Sequence, residues 1–169
     1  MKQIHWNIPK NLLNESITIM RPQGTIGNEG LALWFGQIYD SHIDITHIVE
    51  VSGAGFHTTP LYMNLSLRAM IKLTDLAEKI DSPLVGQIHS HPGRLIDLSI
   101  LDKEQGIRKP NYLSVVCPYY AQRNLNDLNQ CGVHVFEKGH YRRMPTTEIS
   151  QRIKISDIET KKIQCEVPA

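Results

Sequence analysis

Cysteine is scarce and odd in number: Cys117, Cys131 and Cys165 stand far apart in the chain. That excludes a Cys-x-x-Cys zinc site and a disulfide framework, and three reduced thiols are expected, two of them in apolar strands. Long apolar runs are missing as well. The longest, Leu31 to Phe35, is five residues between Gly30 and Gly36, against ~20 for a transmembrane helix. The N-terminal stretch Met1-Lys2-Gln3-Ile4-His5-Trp6 lacks the apolar core of a secretory signal. A cytoplasmic protein with no membrane partner is expected. Nor is there an excess of one charge: 18 Lys+Arg against 17 Asp+Glu leaves a net charge of +1, which offers no electrostatic footing for nucleic acid. A metal site in this chain has to be built from imidazoles and carboxylates, and eight histidines are available.

A chain of 169 residues, 41% hydrophobic and 21% charged, is long enough to bury one core, so a single domain over 1–169 is expected. Pro9 and the pattern Leu12, Leu13, Ile17, Met20 predict a helix over 9–20. Gly24, Gly27 and Gly30 then break the chain. Residues 31–39 and 43–51 read as a hairpin turning at Asp40-Ser41-His42, and 52–60 as a loop rich in Gly and Thr. The longest amphipathic pattern predicts a helix over 63–80, ended by Asp81-Ser82-Pro83. A short strand over 84–89, a short helix over 99–107 and strands over 112–117, 132–137 and 141–144 follow, while 146–158 carries no clear pattern. This order predicts a mixed α/β layer packing of the α+β kind, not a regular βαβ array.

The informative segment is His89-Ser90-His91-Pro92, followed by Ser99 and Asp102. Residues i and i+2 of an extended chain point to the same side, and Pro92 biases His91 toward that conformation. Two imidazoles are thereby aimed at one point as the strand ends. Asp102 follows His91 by eleven residues, in the first turn of a helix that Ser99 caps, so the loop between them can fold back on the same point. Two His, one carboxylate and an open fourth position describe a catalytic zinc site, not a closed structural one. Singly, each element has a plainer role: paired strand-end histidines, a helix cap, a first-turn carboxylate. The full pattern His-x-His-Pro-x6-Ser-x2-Asp arises by chance in about one chain of this composition in twenty thousand.

These residues resemble the JAMM motif of the JAB/MPN metalloprotease superfamily, over roughly residues 9–145. A glutamate opening the strand Gly30–Gly36 and a long helix ahead of the His-containing strand agree with that family's order. The resemblance implies a JAB/MPN-like (cytidine-deaminase-like) fold, a mixed, largely antiparallel sheet flanked by helices. It implies a Zn2+ isopeptidase or peptidase cutting after the C-terminal glycine of a ubiquitin-like protein or its conjugates. His89, His91 and Asp102 would hold the zinc, Ser99 would donate to the scissile carbonyl oxygen, and Glu29 would be the general base, with Glu50 as its rival. Leu98 stands where the family often has proline, which affects the loop and no catalytic atom. The small size resembles bacterial stand-alone members, including those of antiviral defence operons, where E1/E2-like enzymes of the same operon would be further partners. Two other roles are compatible with the fold: trimming the C-terminus of a sulfur-carrier protein, and a non-catalytic MPN interaction module. Of the other histidines, His5, His42 and His140 are expected at the surface, His47 and His134 partly buried on strands. His57 and the Gly53-Ala54-Gly55 loop are placed near a substrate approach at most.

Overall fold

The structure is a computed structural model that describes residues 3–169. Eleven strands and four helices alternate along it: β1 (His5–Pro9), α1 (Leu12–Thr25), β2 (Leu31–Ile38), β3 (His42–Ser52), β4 (Phe56–Thr59), β5 (Tyr62–Leu65), α2 (Leu67–Lys79), β6 (Leu84–Ser90), α3 (Ile100–Gln105), β7 (Leu113–Cys117), β8 (Gly132–Glu137), β9 (His140–Arg143), α4 (Thr146–Arg152), β10 (Ile153–Ser156) and β11 (Lys161–Glu166). Nine strands form one mixed sheet in the order β10-β1-β3-β2-β6-β7-β8-β9, with β11 also on β3. β1 takes His42–Asp44 of that strand and β11 takes His47–Ser52. Antiparallel pairings join β3, β2 and β6, and again β7, β8 and β9; β6 and β7 run parallel. Strands β4 and β5 form a separate antiparallel hairpin. The mixed sheet with helices on its faces is the expected fold class.

The apolar run at 31–35 has a simple cause. Strand β2 lies mid-sheet with both faces covered, so both sets of its alternating side chains must be apolar. Leu31, Leu33 and Phe35 pack with Ala69 and Leu73 of α2, whereas Ala32 and Trp34 pack with Leu12, Ile17 and Met20 of α1. Each such large side chain contributes ~1.5–3 kcal/mol on full burial. Among the described residues no helix is long and apolar enough to cross a membrane. The three cysteines are buried free thiols, as expected.

Several expectations need correcting. Pro9 does not open a helix; it ends β1, in parallel register with Ser156, and α1 begins at Leu12 and runs on past Pro22 and Gly24 to Thr25. The predicted helix over 63–80 starts later, because the Ser66 hydroxyl accepts the Ala69 N–H at 3.0 Å and caps α2. Residues 62–65 instead pair with 56–59, so much of the expected Gly/Thr loop is hairpin. A Thr59-Pro60 turn signal was present for it. The unpatterned stretch 146–158 holds α4 and β10, and β11 follows. His5 and His42 are half-buried at paired positions of β1 and β3, with the His42 ring stacked on Tyr39; His140 is exposed, His47 half-buried and His134 buried.

Candidate metal centre

His89 is the penultimate residue of β6, and Leu31 of β2 and Val116 of β7 flank it in register. Its side chain is wholly buried. His91 follows just beyond the strand, where its backbone N–H donates to the Cys117 carbonyl at 2.9 Å and keeps it extended. Both imidazoles therefore leave the same side, with their Nε2 atoms 3.1 Å apart. Helix α3 brings the third group. Ser99 and Asp102 form a reciprocal capping box: the Ser99 Oγ accepts the Asp102 N–H at 3.1 Å, and the Asp102 Oδ2 accepts the Ser99 N–H at 2.7 Å. The cap aims the carboxylate, and the same Oδ2 lies 3.5 Å from the His89 Nε2 and 3.3 Å from the His91 Nε2.

These three atoms form a nearly equilateral triangle with edges of 3.1–3.5 Å. A tetrahedral ion with bonds of about 2.0–2.1 Å to N and O ligands needs edges of about 3.3 Å, so the donor set fits zinc in both chemistry and size. The His91 Nδ1 faces the Leu95 carbonyl at 3.3 Å, a partner that would hold its N–H when a metal takes the Nε2 lone pair. The His89 Nδ1 is buried with no hydrogen-bond partner among the described residues. Burial pushes the Asp102 carboxyl up, but hydrogen bonds from both imidazoles and the Ser99 N–H outweigh it and hold the group well below the usual carboxylate range. For His91, burial pulls the imidazole down, and the hydrogen bond to Asp102 with the charges of Glu29 and Asp102 turns the net shift upward.

Glu29 precedes β2, only 4% exposed. Its position is set by its neighbours: the Gly30 N–H donates to the Ser90 hydroxyl at 2.8 Å, the Ser90 N–H to the Gly30 carbonyl at 3.1 Å, and the Glu29 N–H to the Thr59 carbonyl at 3.0 Å. The Thr58 hydroxyl donates to the Glu29 carbonyl. Burial raises its carboxyl from 4.5 to about 7, against the positive charge of His91 and with the negative charge of Asp102. Glu29 is thus within electrostatic reach of the triangle, with the proton affinity of a base working near neutrality. Glu50 is engaged elsewhere: half-buried on β3, it pairs with Lys162 of β11 at 3.1 Å. Gly53 and Gly55 pack against the end of the chain, where a Cβ would lie 2.6 Å from the Val167 carbonyl oxygen and 2.0 Å from that of Pro168, so that loop is a tight turn. His57 is exposed on β4, opposite Asn64.

Sequence reasoning did not single out Ser90, the residue between the two histidines. It is fully buried, and its hydroxyl ties the Glu29 segment to the metal strand. It also did not find the groove of about 190 Å³ between β5 and α3, lined by Leu31, Leu33, Met63, Leu65, Met70 and Ile107 and bounded by Asp102. Met63 and Leu65 read as helical until their pairing with β4 is known.

No family model matches the chain. It is 24% identical over 150 residues to a protein of Sinorhizobium fredii (strain NBRC 101917 / NGR234) named probable metalloprotease y4jG, covering 88% of this chain and 93% of that one. A solution structure of a Desulfitobacterium hafniense protein superimposes with a TM-score of 0.66 at 15% identity, over 91% of this chain and 94% of that one. The crystal structure of a JAB1/MPN domain protein from Archaeoglobus fulgidus is a looser likeness that bears no weight by itself, with a TM-score of 0.46 at 13% identity over 89% and 96% of the two chains. The chain is thus similar over most of its length to a probable metalloprotease and shares the fold of the Desulfitobacterium hafniense protein, and its His-x-His-Pro and Ser-x-x-Asp elements fold into one three-donor cluster that could hold a metal.

Proposed function

We propose that this chain is a zinc-dependent peptidase or isopeptidase that cuts after the C-terminal glycine of a ubiquitin-like protein. The observation that carries the reading is the triangle of His89, His91 and Asp102 donor atoms, 3.1–3.5 Å on an edge, with the buried carboxyl of Glu29 within reach of their charges. The likeness to a probable metalloprotease supports it.

Zinc held by His89, His91 and Asp102 would supply a Lewis acid that polarises the scissile carbonyl and acidifies a water. The protein's own groups do the rest. Glu29 takes the proton of the attacking water, for which burial has raised its affinity, and later passes it to the leaving amine. The Ser99 Oγ uses a lone pair to accept the Asp102 N–H, so its O–H is left to donate to the carbonyl oxygen as negative charge grows there. An extended tail fits the groove between β5 and α3. Among the described residues β5 pairs with β4 alone, so its second edge offers backbone donors and acceptors for an added strand.

The test is cleavage of a ubiquitin-like protein fused through its C-terminal Gly-Gly, with zinc content measured alongside. Glu29→Gln is expected to keep its zinc and lose cleavage by at least about a hundredfold, the scale of general base catalysis. Full activity in that variant, or a zinc stoichiometry near zero in the unaltered protein, overturns the proposal. The latter result would favour a non-catalytic module.

A further inference from the structure

The turn after β7 has an unusual backbone. Tyr119, Tyr120 and Ala121 have φ values of 55°, 52° and 57°, three successive non-glycine residues in the left-handed region. Each is disfavoured by the approach of its Cβ to a carbonyl oxygen, and such conformations persist only where the surroundings over-determine them. They do so here. The Tyr119 N–H donates to the Gly93 carbonyl at 3.0 Å and the Tyr120 N–H to the His91 carbonyl at 2.8 Å. From the other side, the C-terminal part of α1 closes on the turn: Arg21 Nε donates to the Ala121 carbonyl at 3.3 Å. Gly24 makes room for it, since a Cβ there would lie 1.9 Å from the Tyr120 carbonyl oxygen.

This conformation sends the Tyr120 side chain across to the hairpin. Its hydroxyl donates to the Pro60 carbonyl at 2.8 Å, at the turn between β4 and β5. The hairpin lies outside the main sheet, yet it carries two parts of the candidate site. Thr58 and Thr59 hold the backbone of Glu29, and Tyr62, Met63, Asn64 and Leu65 wall the groove. Some burial, and then the charge of Glu29, raise the Tyr120 phenol, in keeping with a place beside that carboxyl. One residue thus bonds through its N–H to the metal strand and through its hydroxyl to the substrate wall.

We infer that Tyr120 is a positioning residue: the Tyr120–Pro60 hydrogen bond holds hairpin β4–β5 at a set distance from the His91 segment that follows β6 and so fixes the width of the substrate groove. It acts through the hairpin and touches none of the reacting atoms. The kinetic half of the test rests on the peptidase reading above; the structural half does not. Tyr120→Phe keeps the ring and removes the hydroxyl. Amide hydrogen exchange over residues 56–65 should become about 3–10-fold faster, the scale of one lost hydrogen bond, with β6 and β7 unchanged. KM for a Gly-Gly-linked substrate should rise by about 3–10-fold while kcat stays within about twofold, because the Ser90 hydroxyl still fixes Glu29 through Gly30, and zinc content is unaltered. Unchanged exchange in the hairpin overturns the inference, as does an increase shared equally by β6 and β7, or a fall in kcat at constant KM. Should the unaltered protein cleave no such substrate, the peptidase reading fails, and the exchange measurement alone still decides the role of Tyr120.

Discussion

Ser90→Ala is a sharp test of how this site is held together. The Ser90 hydroxyl is fully buried and accepts the Gly30 N–H at 2.8 Å, next to Glu29 and between the two histidines. Alanine removes the acceptor and nothing else of size, leaving a buried N–H without a partner. Such an orphan costs about 1–3 kcal/mol, more than the ~1 kcal/mol a hydrogen bond contributes on balance, because water cannot reach the freed donor. For a chain of this length each kcal/mol lowers Tm by about 2–4 °C. Differential scanning calorimetry of Ser90→Ala should therefore show a loss of roughly 2–12 °C. The second consequence is local. Glu29 is held through Gly30, so a loosened Gly30 lets the carboxyl stray, and a 1 Å misplacement of a reacting group costs about a hundredfold in rate. Zinc content should stay as it is, since no metal-binding side chain has changed. An unaltered Tm together with unaltered kcat would refute the argument that Ser90 couples the base to the metal strand.

Asp102→Asn keeps an oxygen for the helix cap but removes the anionic ligand. Zinc added to the stripped protein at a hundredfold excess over Kd should raise Tm by about 5–10 °C, from ~2.7 kcal/mol of linkage, and this gain should vanish in the variant; an equal gain in both would remove Asp102 from the metal site. Glu29 must be ionised to act as a base, so kcat/KM should fall as pH falls through its pKa. Burial raises that value above 4.5 to about 7, while positive charge at His91 works against the rise; an acid limb below 4.5 would refute the role. His134 tests stability. Burial, with a contribution from Arg143, pulls it from 6.5 down to about 4, so the unfolded chain binds the extra proton first. Stability attributable to this residue should be full above pH 6.5 and decline by up to about 3 kcal/mol as pH drops to 4. His134→Asn, which retains a donor for the Ser114 carbonyl, should lack that decline in denaturant titrations, and a parallel pH dependence in both proteins would contradict the assignment.

Much of the candidate metal site was legible because its geometry is local. Alternation of side chains along an extended chain aims His89 and His91 together, and a helix cap three residues from Asp102 aims the carboxylate; neither needs a distant partner. The middle strands were legible for a related reason, since Leu31–Phe35 must be apolar on both faces wherever the sheet closes over it. The β10–β1 end of the sheet was not. β1 exists because Trp6 pairs with Ile153 and His5 with His42, contacts that no window of neighbouring residues contains, and β10 and β11 likewise take their form from β1 and β3. The same holds for the working parts of the site that are not ligands. Glu29 was named from its place ahead of β2, but its burial and raised proton affinity come from the hairpin and the metal strand folding over it. Met63 and Leu65 carry an apolar pattern that suits a helix until β4 supplies a partner, and Ser90 and Tyr120 gain their roles only from Gly30 and Pro60, each 60 residues away. Sequence by itself determined which groups can hold a metal, because short-range backbone geometry decides that. Tertiary structure alone decided where Glu29 sits, what walls the groove and what holds that wall, because those depend on hydrogen bonds between segments that meet only when the sheet is complete.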